Sequence, residues 1–408
     1  MWEKFKAPSP HLERVNYEIR GPLLETANRL EREGNKILKL NIGNPAVFGF
    51  EVPEAFAQDL EDCVYKYHGY CDSKGHVEAR KAIIAYNHKL GIGLDTDDIN
   101  RVYIGNGVSE LIKIVTSSIC SNGDEVLVPT PDYPLWSAAV NLAGGTAVYY
   151  KCDPENNWNP DIASIEQNIT PRTKAIVVIN PNNPTGAVYS RETLEKIVDI
   201  ALKHELMILS DEIYDRITYN QAEHVAIASI NKQALCITFN GASKANRVCG
   251  YRLGWCFLTG PFEQALGFIQ SMDKLTSMRL CSVSPFQALI PASLEKDKSI
   301  YELTAPGGRL YEQKSLLERR INQIDGLSCT PISGALYAFV KIDLAKFDFK
   351  DDVEFAQKLL LEEHVLVVQG KGFNWKEGDY FRIVFLPDVN TLADALDRIE
   401  NFCNRHRK

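Results

Sequence analysis

No run in this sequence approaches the roughly 18 to 20 apolar residues that a membrane-spanning helix needs, and its first residues hold no apolar leader-like core. Positive charge is not in excess. Lys and Arg total 45 against 53 Asp and Glu, a net charge of −8, which leaves no basic footprint for nucleic acid or an anionic membrane. The 10 cysteines include no Cys-x-x-Cys pair, so neither a zinc site nor a disulfide framework is indicated. Thiols scattered in this way fit a reducing compartment. Internal repeats, low-complexity tracts and flexible linkers are absent too. What remains is ordinary: 408 residues, 45% hydrophobic and 24% charged, enough for two or three domains and a large core. The expectation is a soluble, cytoplasmic, enzyme-sized α/β protein without nucleic-acid or membrane partners.

Periodicity predicts a helix over residues 14–35, with Leu23, Leu24, Ala27 and Leu30 on one face. Tyr17 and Arg20, three apart, would share a face of its first turn. A short strand at 37–42 ends in Gly43-Asn44-Pro45, a turn by composition. Helical patterns follow at 53–65 and 75–90. Short apolar runs then alternate with helical ones, at 101–104, 125–128, 146–151, 174–179, 207–209, 234–239 and 254–259. That alternation predicts βαβ units and a largely parallel sheet. Helical patterns fill 261–324. Strands at 335–342, 365–369 and 380–386 then read as part of a smaller α+β unit. The division expected is a large domain at 50–295 and a small one built from 1–49 and 296–408.

Polar groups of complementary chemistry stand at the ends of these strands. The run at 234–239 leads into Asn240-Gly241-Ala242-Ser243-Lys244, which puts Lys244 where ligands bind in open α/β sheets. A desolvated or cation-flanked amine there becomes nucleophilic near neutral pH. Eight positions on, Arg252 suits a fixed phosphate or carboxylate. Gly107-Val108-Ser109 opens a helix with free N–H groups and a hydroxyl, an anion site or an ordinary cap. Asp211 follows an apolar strand, where a carboxylate needs a partner, and Tyr214 lies three residues on. Asn180-Pro181-Asn182-Asn183-Pro184-Thr185-Gly186 presents amides on a stiff turn. Tyr133, near prolines, could stack on a planar ligand or simply pack. Arg382 lies among apolar strand residues and so should meet a carboxylate, structural or substrate. A phosphate cradle, a lysine, an aspartate and a carboxylate-binding arginine are together what pyridoxal phosphate chemistry requires.

The set resembles the class I/II aminotransferases of the aspartate aminotransferase fold. The most specific motifs are Asn180 to Gly186, Asp211-x-x-Tyr214, and Ser243-Lys244 with Arg252. Asn16-Tyr17-Glu18-Ile19-Arg20-Gly21-Pro22 and Leu40-Asn41-Ile42-Gly43-Asn44-Pro45 look like bacterial glutamate–pyruvate (alanine) aminotransferases. The resemblance implies a mainly parallel sheet sandwiched by helices plus a smaller α+β domain, with pyridoxal 5′-phosphate as cofactor. Lys244 would hold the cofactor as a Schiff base, Asp211 would keep its pyridine nitrogen protonated, and Asn183 and Tyr214 would bond its phenolate oxygen. Arg252, Ser109 and the amides around Val108 would hold the phosphate, while Tyr133 stacks on the ring. Arg382 would pair with the substrate α-carboxylate, with Gly43 and Asn183 nearby. Tyr70 would reach the phosphate of a partner subunit, implying a homodimer with interfacial active sites.

Many relatives carry serine three residues before the lysine, where this chain has Gly241. Ser243 would point elsewhere and ranks below Arg252 as a phosphate ligand. The expected reaction moves an amino group between L-alanine and 2-oxoglutarate, with the freed lysine as base at the α-carbon. Tyr17 and Arg20 are candidates to close over a small substrate, or form a structural face. The Ser277-Met278-Arg279 region is a further candidate near a side-chain carboxylate. The rivals are a broader-specificity aminotransferase taking methionine, valine or aromatic amino acids, a pyridoxal-phosphate C–S β-lyase, and a cofactor-binding effector module of a transcription regulator, which the acidic charge disfavours. No metal is expected.

Overall fold

A computed structural model describes residues 9, 12–15, 17, 21–94 and 98–408. Its strands in chain order are β1 (Leu38–Lys39), β2 (Val102–Asn106), β3 (Glu125–Thr130), β4 (Thr146–Asp153), β5 (Asn159–Pro160), β6 (Thr173–Ile179) and β7 (Met207–Asp211). Then come β8 (Cys236–Gly241), β9 (Leu253–Thr259), β10 (Leu327–Ser328), β11 (Tyr337–Ile342), β12 (Val365–Leu366), β13 (Val368–Gln369) and β14 (Asp379–Val384). Eight of them form one sheet in the order β2-β9-β8-β7-β6-β3-β4-β5. From β8 through β4 all neighbours run parallel, while β9 runs against both β8 and β2, and β5 against β4. The expected α/β class with a mainly parallel sheet is what the chain forms.

The sequence explains why this sheet is buried on both sides. Ala175 to Ile179 is an unbroken apolar run, the signature of a parallel strand covered by helices on each face. Successive side chains feed opposite cores. Leu127, Ile176, Val178 and Ile208 join one cluster, whereas Val126, Ala175, Val177 and Leu209 join the other. Helix starts follow capping chemistry: the Ser190 side chain accepts from Thr193 N, and Asp388 accepts from the N–H groups of Asn390 and Thr391.

A second sheet, β10-β11-β14-β13, is antiparallel throughout and has its own core around Phe355, Phe381 and Leu396. The N-terminal segment joins this region, with Leu38 opposite Val365 and Lys39 opposite Leu366 in parallel register.

Some local expectations need correction. The first helix covers Pro22–Arg32 rather than 14–35. Pro22 occupies its first turn, where a missing N–H costs nothing, so the helix starts only after Gly21. Tyr17 therefore precedes the helix, and Arg20 lies outside the described residues. The single strand expected at 365–369 divides, with β12 pairing to β1 and β13 to β14. The short edge strand β5 was not expected at all.

Candidate active site

The topology places the site. Because β3, β6, β7 and β8 are parallel, their carboxyl ends open on the same edge of the sheet. The antiparallel β9 begins at that edge, beside the ends of β8 and β2, with Gly254 opposite both Gly241 and Gly105. A cavity of about 540 Å³ lies there, walled by the loops that leave these strands and by residues from β11 and β14.

One end of the cavity is built for an anion. Gly107, at φ +79°, turns β2 into the helix Val108–Ile119. A Cβ at Gly107 would lie 2.3 Å from Arg252 Nη2, so the arginine packs where only glycine leaves room. Arg252 Nη1 donates to Cys249 O at 2.8 Å and Nη2 to Asn106 O at 3.1 Å, which aims the guanidinium without a carboxylate. Val108 and Ser109 stand on the first turn of that helix, whose N–H groups and dipole favour negative charge. Ser243 also lines the cavity. The glycine at 241 has a packing cause, since a Cβ there would sit 2.6 Å from the Leu253 carbonyl oxygen.

Lys244 occupies the middle. Its Nζ donates to the Gly43 carbonyl oxygen at 2.6 Å rather than to a carboxylate, and lies 5.8 Å from the Tyr214 ring centre. Asp211 ends β7, almost fully buried, where its Oδ2 accepts from the Trp136 indole at 3.0 Å. Trp136 in turn meets Phe239 edge-on. Burial pushes the Asp211 carboxyl from the ordinary 3.8 up to about 6, with the Trp136 hydrogen bond and Lys244 opposing.

That value carries a stability consequence. Folding raises the proton affinity of Asp211, so the stabilisation it contributes is complete below the ordinary carboxylate range and is lost as pH rises through about 6. Above that, the ligand-free fold carries a buried carboxylate. Asp211→Asn is expected to stabilise the ligand-free protein near pH 8, by at most about 3 kcal/mol, with the gain vanishing near pH 4. Thermal melts at the two pH values check this; an equal shift at both would remove charge as the cause.

The opposite wall belongs to Arg382 on β14. Only 3% of it is exposed, yet it forms no ion pair among the described residues. Its Nη1 donates to Asn183 Oδ1 at 2.9 Å, Nη2 donates to the Asn41 carbonyl oxygen, and Nε has no partner. Its guanidinium lies 4.5 Å from the Tyr337 ring centre and 4.7 Å from that of Phe373. Burial pulls its pKa below the usual arginine value. A buried cation held by neutral groups, with a donor to spare, suits an anionic ligand.

The loop from Asn180 to Gly186 divides its labour. Asn180 Oδ1 accepts from Tyr189 N, while Asn182 donates to the Tyr189 hydroxyl and accepts from Thr185. These two amides shape the turn, which leaves Asn183 to face the cavity. Tyr133 forms another part of the wall, its phenol pushed well up by burial and by neighbouring Tyr17, which stands at the mouth.

Not every predicted residue meets the others. Tyr70 is 85% exposed and does not line this chain's cavity. Arg279 is occupied elsewhere: it pairs with Glu110 at 2.9 Å and donates to the Ile104 and Ser73 carbonyl oxygens. Two residues were missed. Tyr337 hydrogen-bonds Tyr214, hydroxyl to hydroxyl, at 2.7 Å, and a Cβ at Gly43 would strike its phenol oxygen. Burial pushes the Tyr337 phenol up, but Lys244 and Arg382 outweigh it and hold the phenol below its ordinary value. Tyr214, by contrast, is pushed well above it by burial. Trp136, the partner of Asp211, is the other. Both sit in apolar runs, and no local signal separates them from core aromatics.

Comparison with known proteins identifies the family. Residues 35–399 match the family described as aminotransferase class I and II. The chain is 50% identical over 402 residues to an alanine aminotransferase of Mycobacterium tuberculosis, covering 98% of this chain and 94% of that protein. It is 52% identical over 400 residues to the glutamate-pyruvate aminotransferase AlaA of Haemophilus influenzae, covering 98% of each. The crystal structure of an aminotransferase from Escherichia coli superimposes with a TM-score of 0.96 at 50% identity, over 98% of this chain and 99% of that one. This chain therefore belongs to the class I and II aminotransferases, and it is an amino-group-transferring enzyme.

Proposed function

We propose that the enzyme transfers the amino group between L-alanine and 2-oxoglutarate, giving pyruvate and L-glutamate, with pyridoxal 5′-phosphate as cofactor. One observation carries the reading. A single cavity sets Lys244, whose Nζ donates to the Gly43 carbonyl, between an anion cradle at Arg252 and a buried Arg382 that has no acid partner among the described residues. The alanine specificity is supported by the names of the relatives at about half identity.

The residues present suit the cofactor. Gly107 leaves the room in which Arg252 sits beside the helix N-terminus, and Asp211 is a buried carboxylate whose donors among the described residues are neutral, so it has capacity for a cationic ring nitrogen. Pyridoxal 5′-phosphate, when bound, supplies a ring that carries the electron pair left at the substrate α-carbon. Arg252, Ser109 and the helix amides beginning at Val108 would bind its phosphate, with Ser243 beside them. Asp211 would hold a proton at the ring nitrogen. Asn183, whose Oδ1 is taken by Arg382, would donate through its amide nitrogen to the ring oxygen, and Tyr214 would donate beside it. Tyr214 has one proton, so it can donate there only if Tyr337 supplies the proton of their shared bond. Tyr133 would stack on the ring. Lys244 would hold the group through Nζ and, once displaced by the substrate amine, take the proton from the α-carbon. Arg382, near Gly43, would fix the α-carboxylate and hence which α-bond faces the ring. Tyr17, with Arg20, would close over the small side chain.

The same proposal includes a homodimer. Tyr70, Met278 and Leu280 are exposed apolar residues on two segments joined by the bond from Arg279 to the Ser73 carbonyl. A second copy covering that face would bring Tyr70 to its partner's phosphate site. We also read residues 50–295 as the large domain and the rest as the small one, which the β1–β12 pairing supports. No helix among the described residues is long and apolar enough to cross a membrane, and a cytoplasmic setting suits ten unpaired cysteines.

Single-turnover spectroscopy of the holoenzyme, with a panel of amino acids and no acceptor, tests the substrate. Alanine and glutamate are expected to convert the cofactor to its amine form fastest. Faster conversion by methionine or aromatic amino acids would remove the alanine assignment. Continued release of pyruvate from a cysteine-type substrate would mean lyase chemistry.

A further inference from the structure

We propose that Asp132 is a positioning residue, a carboxyl clasp that ties the Tyr133 loop of the large sheet to the Phe373-Asn374 segment of the second unit. The inference rests on the reading of Arg382 as the substrate-carboxylate site. Asp132 is fully buried, and no cation pairs with it among the described residues. Its Oδ1 accepts from Asn374 Nδ2 at 2.9 Å, and the hydroxyl and N–H of Ser137 also lie against the carboxyl. Burial pushes its carboxyl up to about 7, so this position favours the neutral acid. Such a group is costly in a core and would be poor packing material.

Its surroundings explain what it does. The Asp132 N–H donates to the Phe373 carbonyl oxygen at 3.0 Å, and Thr130 Oγ1 donates to the Asn374 carbonyl oxygen at 2.8 Å. Asn374 Nδ2 also reaches Ser137 Oγ at 3.2 Å. These bonds join stretches more than two hundred positions apart in sequence. On one side of the clasp Tyr133 follows directly, and Trp136, which bonds Asp211, lies four positions on. On the other side the Phe373 ring lies under the Arg382 guanidinium. Asp132 thus sets the distance between the wall that stacks on a ring and the wall that binds a carboxylate. Loosening it should weaken carboxylate binding equally in ground and transition states, raising KM more than it lowers kcat.

Steady-state kinetics of the holoenzyme with L-alanine tests this. Asp132→Ala is expected to raise KM about tenfold, with kcat changed less than about twofold. Asp132→Asn keeps the acceptor for Asn374 and is expected to retain the wild-type KM. Asn374→Gly removes the amide while tolerating φ +57°, and should reproduce the KM rise if Asp132→Ala fails to fold. In an Arg382→Ala background Asp132→Ala should add nothing, because the clasp acts through Arg382. A wild-type KM in a folded Asp132→Ala or in Asn374→Gly would overturn the proposal. So would an Asp132→Asn enzyme as impaired as the alanine variant, or an undiminished effect without Arg382. An unchanged KM in Arg382→Ala alone would instead remove the carboxylate reading beneath it.

Discussion

Lys244→Ala is expected to lower turnover by about 10⁴-fold or more and to abolish the yellow absorbance of a lysine-linked cofactor. Lys244 carries the one primary amine among the described residues that line the cavity, the group suited both to bond the cofactor and to take a proton from a neighbouring carbon. Its Nζ donates to the Gly43 carbonyl at 2.6 Å, and it forms no ion pair with a carboxylate among the described residues. Proton transfer by a positioned side chain contributes about 10²- to 10⁴-fold, and loss of the covalent attachment adds to that. The substitution should leave the fold intact. Lys244 is half-buried, whereas the neighbours that anchor its loop, Asn246 and Arg247, make their own bonds to Asp297, Ser293 and Ser299. Kinetics with an absorbance scan of the purified variant check this. Full activity would show that the lysine is not the catalytic amine.

Arg382→Ala is expected to lower kcat/KM for both amino and oxo acids by about 10²- to 10³-fold, on the order of 3–4 kcal/mol, while cofactor stays bound. The anion cradle around Arg252 lies on loops of the large sheet, while Arg382 sits on β14 of the second sheet. Truncation at one wall therefore spares the other. The loss should fall on substrates bearing an α-carboxylate, since a guanidinium matches that group with two parallel hydrogen bonds. The effect on stability should be small, within about 1–2 kcal/mol. Asn183 Oδ1 and the Asn41 carbonyl lose a donor, yet a buried unpaired cation disappears with it. Loss of cofactor from this variant, or an unchanged specificity constant, would mean the arginine has another task.

Residue patterns pointed to many of the residues that the fold brings to one cavity, but not to their finer allocation. The rigid loop at 180–186 was legible from its prolines and amides. Its division was not: Asn180 and Asn182 serve the turn, and only Asn183 faces the cavity. All three are asparagines in one turn, and which of them faces outward depends on where Tyr189 packs. Gly241 read as a departure from a phosphate-binding serine, and its cause became visible only when β9 was laid against β8. The first helix begins at Pro22 although apolar spacing continues upstream of that proline. Tyr337 and Trp136 escaped notice since aromatics in apolar runs look like core until a polar partner is placed beside them.

Local residue patterns account for the alternation of strands and helices, the glycines and prolines that shape the strand ends, and the residue types available there. Those properties follow from backbone dihedrals, side-chain period and local capping, all of which act over a few residues. Which of these ends meet is a matter of long-range packing. Lys244 bonds a carbonyl 201 positions away, and Arg382 bonds an amide 199 positions away. Such contacts are settled by strand order and by how the second sheet packs on the first, through many weak apolar terms summed over the whole core. Local sequence carries no record of that sum, so Lys244, Arg252 and Arg382 stand out as residue types at their positions, while the polar partners of Tyr337, Trp136 and Asp132 do not.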